Sequence, residues 1–384
     1  MYGPYIAKEN GEIKYVGNKI FKPIENIKNI KITKEVVENR VNQFIEQKEY
    51  WKAIIIINNT IYKKSVEYFE SLGAKFILLP LTTRMISSPG AVYGKKKINY
   101  TQDTVPIKLK WFNVGTVFLS ESSQLYLELS LIINDIDHVY SIYNSFRKEK
   151  ADYTHLSEFH HIEYEGHVSQ EENEKIAKNL TKYLIDNLLT INQDDLKIFL
   201  TNEDLNELEK FTKNDGYKKI TLKKALEILY QETGDKKYEK FTSMYWGFWE
   251  EVFITNYFDS IVLVREFPML EVAFYHKPLK KEYDPVSGEE IWVVDNADFI
   301  FSGYREYIGS GHRIETIEEL EWKAKLFNLP KEDYQPYYVV RASPTYKPSS
   351  GFGMGWERFM QGILKMPTII DVCLFPRVHF TIKP

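Results

Sequence analysis

Cysteine is almost missing from this 384-residue chain, with Cys373 the single example. No internal disulfide can form, and no thiolate cluster can hold zinc. Long hydrophobic runs are missing too. The longest, Ala53 to Ile57, is far too short to span a bilayer, and Met1 to Asn10 carries no apolar stretch of signal-peptide length. A soluble, cytoplasmic protein with no membrane partner is expected. Nor is there an excess of charge of one sign. Lys and Arg total 50 against 54 Asp and Glu, a formal charge of -4. That balance gives no general electrostatic footprint for nucleic acid and leaves only a local basic patch open. Internal repeats and low-complexity linkers are likewise absent.

What the chain does have is apolar and aromatic content, 43% and 15%, enough for a substantial core. Residues 1–30 read as an N-terminal β-hairpin segment, with Asn10-Gly11 as its turn signal. Lys34 to Glu49 is polar and helical. Trp51 to Leu72 is an amphipathic helix ended by Gly73, followed by a short buried strand, Ala74 to Pro80. Thr82 to Pro106 is loop-like, with Ser88-Pro89-Gly90 and a lysine run, Lys95 to Lys97, that is either solvated or set against phosphates. Val114 to Leu119 is a strand and Ser123 to Ile133 a helix. Val139 to Tyr143 and Phe159 to Glu165 form an antiparallel hairpin with a long polar link. Ser169 with Glu172 is a capping pattern that opens a mostly helical insert at about 169–245. Ile261 to Val264, Val272 to Tyr275, Trp292 to Phe301 and Tyr304 to Gly309 read as strands, and Thr316 to Asn328 as a helix. Without βαβ alternation, this order implies an α+β fold around an antiparallel sheet flanked by helices.

Three groups of residues carry potential chemistry. The first is Ser350-Gly351-Phe352-Gly353-Met354-Gly355-Trp356-Glu357-Arg358. Alternating glycines weaken a strand unless something must lie against it. A cation in the first turn of the following helix opposes the helix dipole, which makes sense if an anion sits between them. Arg358 therefore reads as a contact to a nucleotide triphosphate, with tight strand–helix packing as the alternative. The second is Arg147 and Glu149 with His155, Glu158 and Phe159. If the first two share a strand they share a face, and an arginine there grips phosphate or carboxylate. A surface ion-pair face is the alternative. The third is Asp298 and Glu306 with Gly309-Ser310-Gly311-His312-Arg313. Two carboxylates on facing strands suit a Mg²⁺ ion that bridges phosphates, or are ordinary sheet acids beside a Gly-Ser turn. His160 and His161 must point to opposite faces.

Together these segments resemble the motifs of class II aminoacyl-tRNA synthetases of the aspartyl/asparaginyl group. The helix, strand and Pro80 correspond to motif 1. Phe146-Arg147-x-Glu149 with Leu156-Ser157-Glu158-Phe159 corresponds to motif 2, and Gly351 to Arg358 to motif 3. Ser123-Gln124-Leu125, Arg305 to Arg313 and Asp371-Val372-Cys373-Leu374-Phe375-Pro376-Arg377 add further matches in order. The resemblance implies a six- or seven-stranded antiparallel sheet, a single catalytic domain over 31–384 and a homodimer. It also implies activation of asparagine or aspartate by ATP with Mg²⁺. Arg147 would contact the α-phosphate and the substrate carboxylate. Glu149 would read the adenine amino group, and Phe159 and Arg358 would sandwich the ring. His155 and Gly355 would line the ATP site. Asp298 and Glu306 would hold the metal. Gln124, Glu163, Arg313 and Gly353 would surround the amino acid, with Arg313 on its side chain.

Two positions lean toward asparagine. Leu127 stands where aspartate-activating members usually carry lysine, and Glu163 where they usually carry aspartate. Other positions depart from the group. Little room precedes residue 31 for an anticodon-binding barrel. Thr154-His155-Leu156 replaces Arg-His-Leu, and Pro348-Ser349 replaces Pro-His. The expectation is an adenylate passed to ammonia or a small amine. The alternatives are tRNA charging without an anticodon domain and a non-catalytic sensor of amino acid or adenylate.

Overall fold

The computed structural model describes residues 32–87, 111, 113–213 and 217–383, with the backbone of strands Tyr5–Ala7, Ile13–Tyr15 and Val105–Ile107. The two N-terminal strands pair antiparallel, Tyr5 opposite Tyr15. The Asn10-Gly11 turn, Ser88 to Gly90 and Lys95 to Lys97 lie outside the described residues.

Eight strands form the main sheet among the described residues: β1 (Lys75–Phe76), β2 (His138–Phe146), β3 (Glu158–Gly166), β4 (Tyr217–Thr221), β5 (Ile261–Arg265), β6 (Asn296–Ile300), β7 (Glu306–His312) and β8 (Ser350–Gly355). Their spatial order is β1-β2-β3-β8-β7-β6-β5-β4. The six inner strands are mutually antiparallel, and β1 and β4 each join an edge in parallel. The antiparallel α+β expectation holds, with one parallel strand added at each side.

One face of this sheet is apolar and covered. Period-2 alternation along β8 sends Phe352 and Met354, both fully buried, to that face and Gly351, Gly353 and Gly355 to the other. Against the apolar face lie α1 (Lys48–Ser71), α3 (Gln170–Ile191) and α7 (Trp356–Ile363). α2 (Gln124–Ser130) packs beside β2 and β3. Ile176, Leu180, Leu184 and Leu188 recur at helical spacing on α3 and join Phe69, Tyr164, Ile308 and Phe352 in one core. Burying such side chains stabilises by about 1.5–3 kcal/mol each. Ser169 caps α3 by accepting from the Glu172 amide, and Gly73, at φ 75°, follows α1 in the left-handed conformation that favours glycine.

Several local expectations change. The stretch after Gly73 is a two-residue strand, and Phe76 and Leu78 are exposed, not buried. Val272 to Tyr275 is a turn; Ala273, Phe274 and Tyr275 are buried by packing against Leu320, Phe327 and Tyr337 rather than by a sheet. Lys34 to Glu49 breaks at Asn39 and again before Lys48. The 169–245 segment is helical for most of its length, but it also contributes β4 to the main sheet. Arg147 and Glu149 stand beyond the end of β2, in the link to β3, so strand alternation does not set their common face.

Candidate active site

The uncovered face of the sheet is built in registered rows. Glu163, Gly353, Gly309 and Asp298 lie side by side across β3, β8, β7 and β6. Glu165, Gly351, Gly311 and Asn296 form the next row, and His161 lies opposite Gly355. Glycine in the two central strands keeps the floor low, and polar groups rise at both sides. Two clefts lie on this floor, about 490 and 680 Å³ including their open mouths. They share Arg147, His161, Glu306 and Gly353.

The first cleft is cationic and aromatic. Arg147 stands over the Phe159 ring, 5.5 Å from its centre, and Phe159 meets His161 edge-on at 4.9 Å. Burial works against the Arg147 charge, but Glu149, Glu306 and Glu121 outweigh it and raise its pKa. Gly355 is the N-cap of α7, which puts Arg358 in its first turn. Arg358 Nη1 donates to the Glu306 carbonyl at 3.0 Å, and Nε to the Thr154 carbonyl at 3.3 Å. Its cationic form is disfavoured by burial and by nearby Arg305, so an anion in the cleft would relieve it. Glu149 and His155 complete the wall. Burial opposes ionisation of Asp152, yet hydrogen bonds from His155 and Thr154 hold its carboxyl down at about 2.

The second cleft contains polar atoms that have no partner among the described residues. Ser122 Oγ donates to Glu163 Oε1 at 2.6 Å, while Glu163 Oε2 is buried without a partner. Burial, opposed by Ser122, Tyr143 and Arg313, pushes the Glu163 carboxyl up to about 7. Tyr275 donates to Gln124 Oε1 at 3.1 Å, which fixes the amide and leaves Gln124 Nε2 buried and unpartnered. Arg313 is fully buried and pairs with Glu165 through Nε (3.0 Å) and Nη2 (2.6 Å), but its Nη1 has no partner. Buried polar atoms are normally satisfied, so such a group marks where a polar ligand belongs. An acceptor and a donor on this cleft, Glu163 Oε2 and Gln124 Nε2, with Arg313 Nη1 behind its floor, match the complement of a small zwitterion.

Asp298 and Glu306 both face the second cleft. Burial, with Glu306 and Glu251 nearby, drives the Asp298 carboxyl well above its usual range. Two neighbouring carboxylates suit a hard divalent ion. Among the described residues no set of three or more His, Cys, Asp or Glu is arranged around a metal. Two carboxylates supplemented by substrate phosphates is the usual protein contribution to Mg²⁺.

The structure brings together Arg147, Glu149, His155, Phe159, Gly355, Arg358, Gln124, Glu163, Gly353, Asp298 and Glu306 on the two clefts. Arg313 stands just behind the floor, beside Gly351 and Glu165. Leu127 is buried against Leu131 and Val139 and contributes no cleft surface. Sequence reasoning missed Ser122, Tyr275 and His276, which line the second cleft. It also missed Glu251 on α5 (Phe248–Phe258), which accepts from Arg305 Nε at 2.7 Å and from the Glu306 amide at 2.9 Å. None has a periodic or motif signal; only adjacency to Gln124 and Glu306 pointed near them.

The sequence model of one family, the class II tRNA synthetases for D, K and N, matches residues 33–379. The asparagine–tRNA ligase of Pyrococcus abyssi is 31% identical over 334 residues, covering 86% of this chain and 70% of that protein. That of Roseiflexus sp. is 31% identical over 360 residues, 90% and 75% respectively. The match to the Desulforamulus reducens ligase, also 31% identical, covers 70% of this chain but only 58% of that protein. Among solved structures, Pyrococcus horikoshii asparaginyl-tRNA synthetase complexed with asparaginyl-adenylate superposes with a TM-score of 0.74 at 23% identity, covering 94% of this chain and 78% of that one. That likeness shows the fold.

Proposed function

The chain belongs to the class II aminoacyl-tRNA synthetase family of ATP-dependent ligases, and from that premise we propose that it activates asparagine as an aminoacyl adenylate. The observation that carries this reading is the position of Arg147, on the seam between the two clefts. A nucleotide in the first cleft and an amino acid in the second would meet beside its guanidinium. There a substrate carboxylate oxygen attacks the α-phosphorus, and the bond from phosphorus to the bridging oxygen breaks. Pyrophosphate leaves with that electron pair. Arg147 stabilises the charge that builds on the α-phosphate oxygens, which is where preorganised donors accelerate most. Phe159 and Arg358 orient the base and Glu149 reads its amino group. Mg²⁺, which class II synthetases generally use, would neutralise phosphate charge from Asp298 and Glu306.

Asparagine is preferred because the amino-acid cleft offers a carboxyl group, Glu163, with the Arg313 guanidinium behind its floor. An amide can donate to the first and accept from the second. A carboxylate in the place of the amide has no N–H to donate to Glu163.

Two acceptors are supported. The relatives named asparagine–tRNA ligase favour tRNA at least as strongly as the departures at Thr154 and Ser349 favour ammonia or a small amine. The ion pairs and carboxylates kept at the reacting centre favour turnover over a sensor. Amino-acid-dependent ATP–pyrophosphate exchange tests the activation step, with asparagine expected to give signal. Folded protein that exchanges with no amino acid would sink it. Charging of total tRNA separates the two acceptors: charged product supports tRNA, and exchange without charged product supports ammonia or a small amine.

A further inference from the structure

His276 follows the buried turn at Tyr275 and lines the amino-acid cleft. Its ring lies directly on Gly311: a Cβ built there would fall 2.0 Å from His276 Nδ1 and 2.3 Å from Cε1. The imidazole thus fills the space a side chain at 311 would take, one row beyond Gly309 on the cleft floor. The backbone around it is fixed from three sides. Lys277 N donates to the His312 carbonyl, Ile314 N donates to the Tyr275 carbonyl, both at 2.9 Å, and Lys323 Nζ donates to the His276 carbonyl at 2.5 Å. Nδ1 is buried and has no partner among the described residues. The residue is only 8% exposed, so this orphaned atom is unusual for an interior position.

Resting on the activation reading above, we propose that His276 selects the amino-acid side chain: its ring ends the cavity at the length of asparagine, and its Nδ1 bonds the terminal amide. Burial and the neighbouring charges of Arg313 and Lys323 keep the imidazole neutral. A neutral ring nitrogen either donates or accepts according to its tautomer, and an amide supplies a partner for both cases, whereas a carboxylate only accepts. The ring also removes the space a further methylene would need. One methylene in a fitted pocket is worth about 10- to 200-fold in discrimination.

The test compares wild type with His276→Ala and His276→Phe. Pyrophosphate exchange is measured with asparagine and glutamine, and asparagine binding by calorimetry. His276→Ala is expected to lower kcat/KM for asparagine about tenfold or more and to raise the glutamine-to-asparagine ratio by about tenfold. His276→Phe keeps a ring without the nitrogen, so it should weaken asparagine without admitting glutamine. It also serves if the alanine variant does not fold. Folded variants whose asparagine binding and amino-acid ratio stay within twofold of wild type would overturn the role of His276. Wild type that binds asparagine yet exchanges no pyrophosphate would overturn the activation reading alone. Wild type that neither binds nor exchanges would overturn both.

Discussion

Arg147 belongs to both clefts, and this is what separates a binding residue from one that acts on the transition state. A group that touched only the nucleotide would change KM for ATP. A group at the seam meets charge that develops only as the bond forms. Arg147→Ala is therefore expected to lower the exchange rate by roughly 100- to 1,000-fold, with a much smaller change in amino-acid binding by calorimetry. Glu163 makes a different kind of prediction, because burial pushes its carboxyl up to about 7 in the folded chain against an ordinary 4.5. Between those values the folded state holds the proton more often than the unfolded state. Stability must then fall as pH rises through that window, by on the order of 3 kcal/mol. Any ligand that donates to Glu163 favours its charged form, so asparagine binding should tighten as pH rises through 7. Glu163→Gln should flatten both profiles, the melting temperature against pH and the binding constant against pH. A pH-independent wild type would refute the assignment.

The elements that hold these residues differ in how much of them could be read beforehand. The glycine strand β8 was legible, because alternation leaves little else for Gly351, Gly353 and Gly355 to do. Its neighbours determine what each glycine is for. A Cβ on Gly353 would meet Glu163 Oε1 at 3.2 Å, the end of a side chain that can shift. A Cβ on Gly351 would fall 2.0 Å from Glu165 Oε2 and 2.4 Å from the Tyr164 carbonyl, which cannot. Gly353→Ala should keep the fold and lower asparagine exchange. Gly351→Ala should destabilise by about 1–3 kcal/mol or more, and thermal melts of the two variants would show the contrast or refute it. Less legible were Arg147 and Glu149, placed by a loop where spacing carries no face, and Val272 to Tyr275, whose apolar run imitates a strand. That run is buried by Leu320, on α6 (Ile317–Leu326), and by Phe327 and Tyr337. Contacts from such distant residues leave no periodic trace at 272–275. β4 was hidden for a related reason: Tyr217-Lys218-Lys219-Ile220-Thr221 is half lysine-flanked and polar, and becomes a strand only because β5 offers it an edge.

At the scale of the whole molecule, the surface around β1 carries exposed apolar side chains beside a sheet edge. Among the described residues β1 pairs with β2 on one side only, and Phe76, Leu78 and Leu81 are 51%, 86% and 47% exposed there. Ile55 and Tyr62 on α1 are also more than half exposed. Apolar side chains beside an open sheet edge invite a second chain, and the family resemblance implies a homodimer through this same helix and strand. Sedimentation equilibrium should then give about twice the 45.4 kDa of one chain, and Leu78→Asp should shift the mass toward one. The edge also bears on chemistry. β1 braces β2 at Val139 and Tyr140, and the same strand runs on to Phe146, next to Arg147. Loss of the dimer is therefore expected to lower pyrophosphate exchange. A wild-type chain that sediments as a monomer at micromolar concentration would overturn the dimer. A monomeric Leu78→Asp with full exchange activity would overturn only the link from the edge to Arg147.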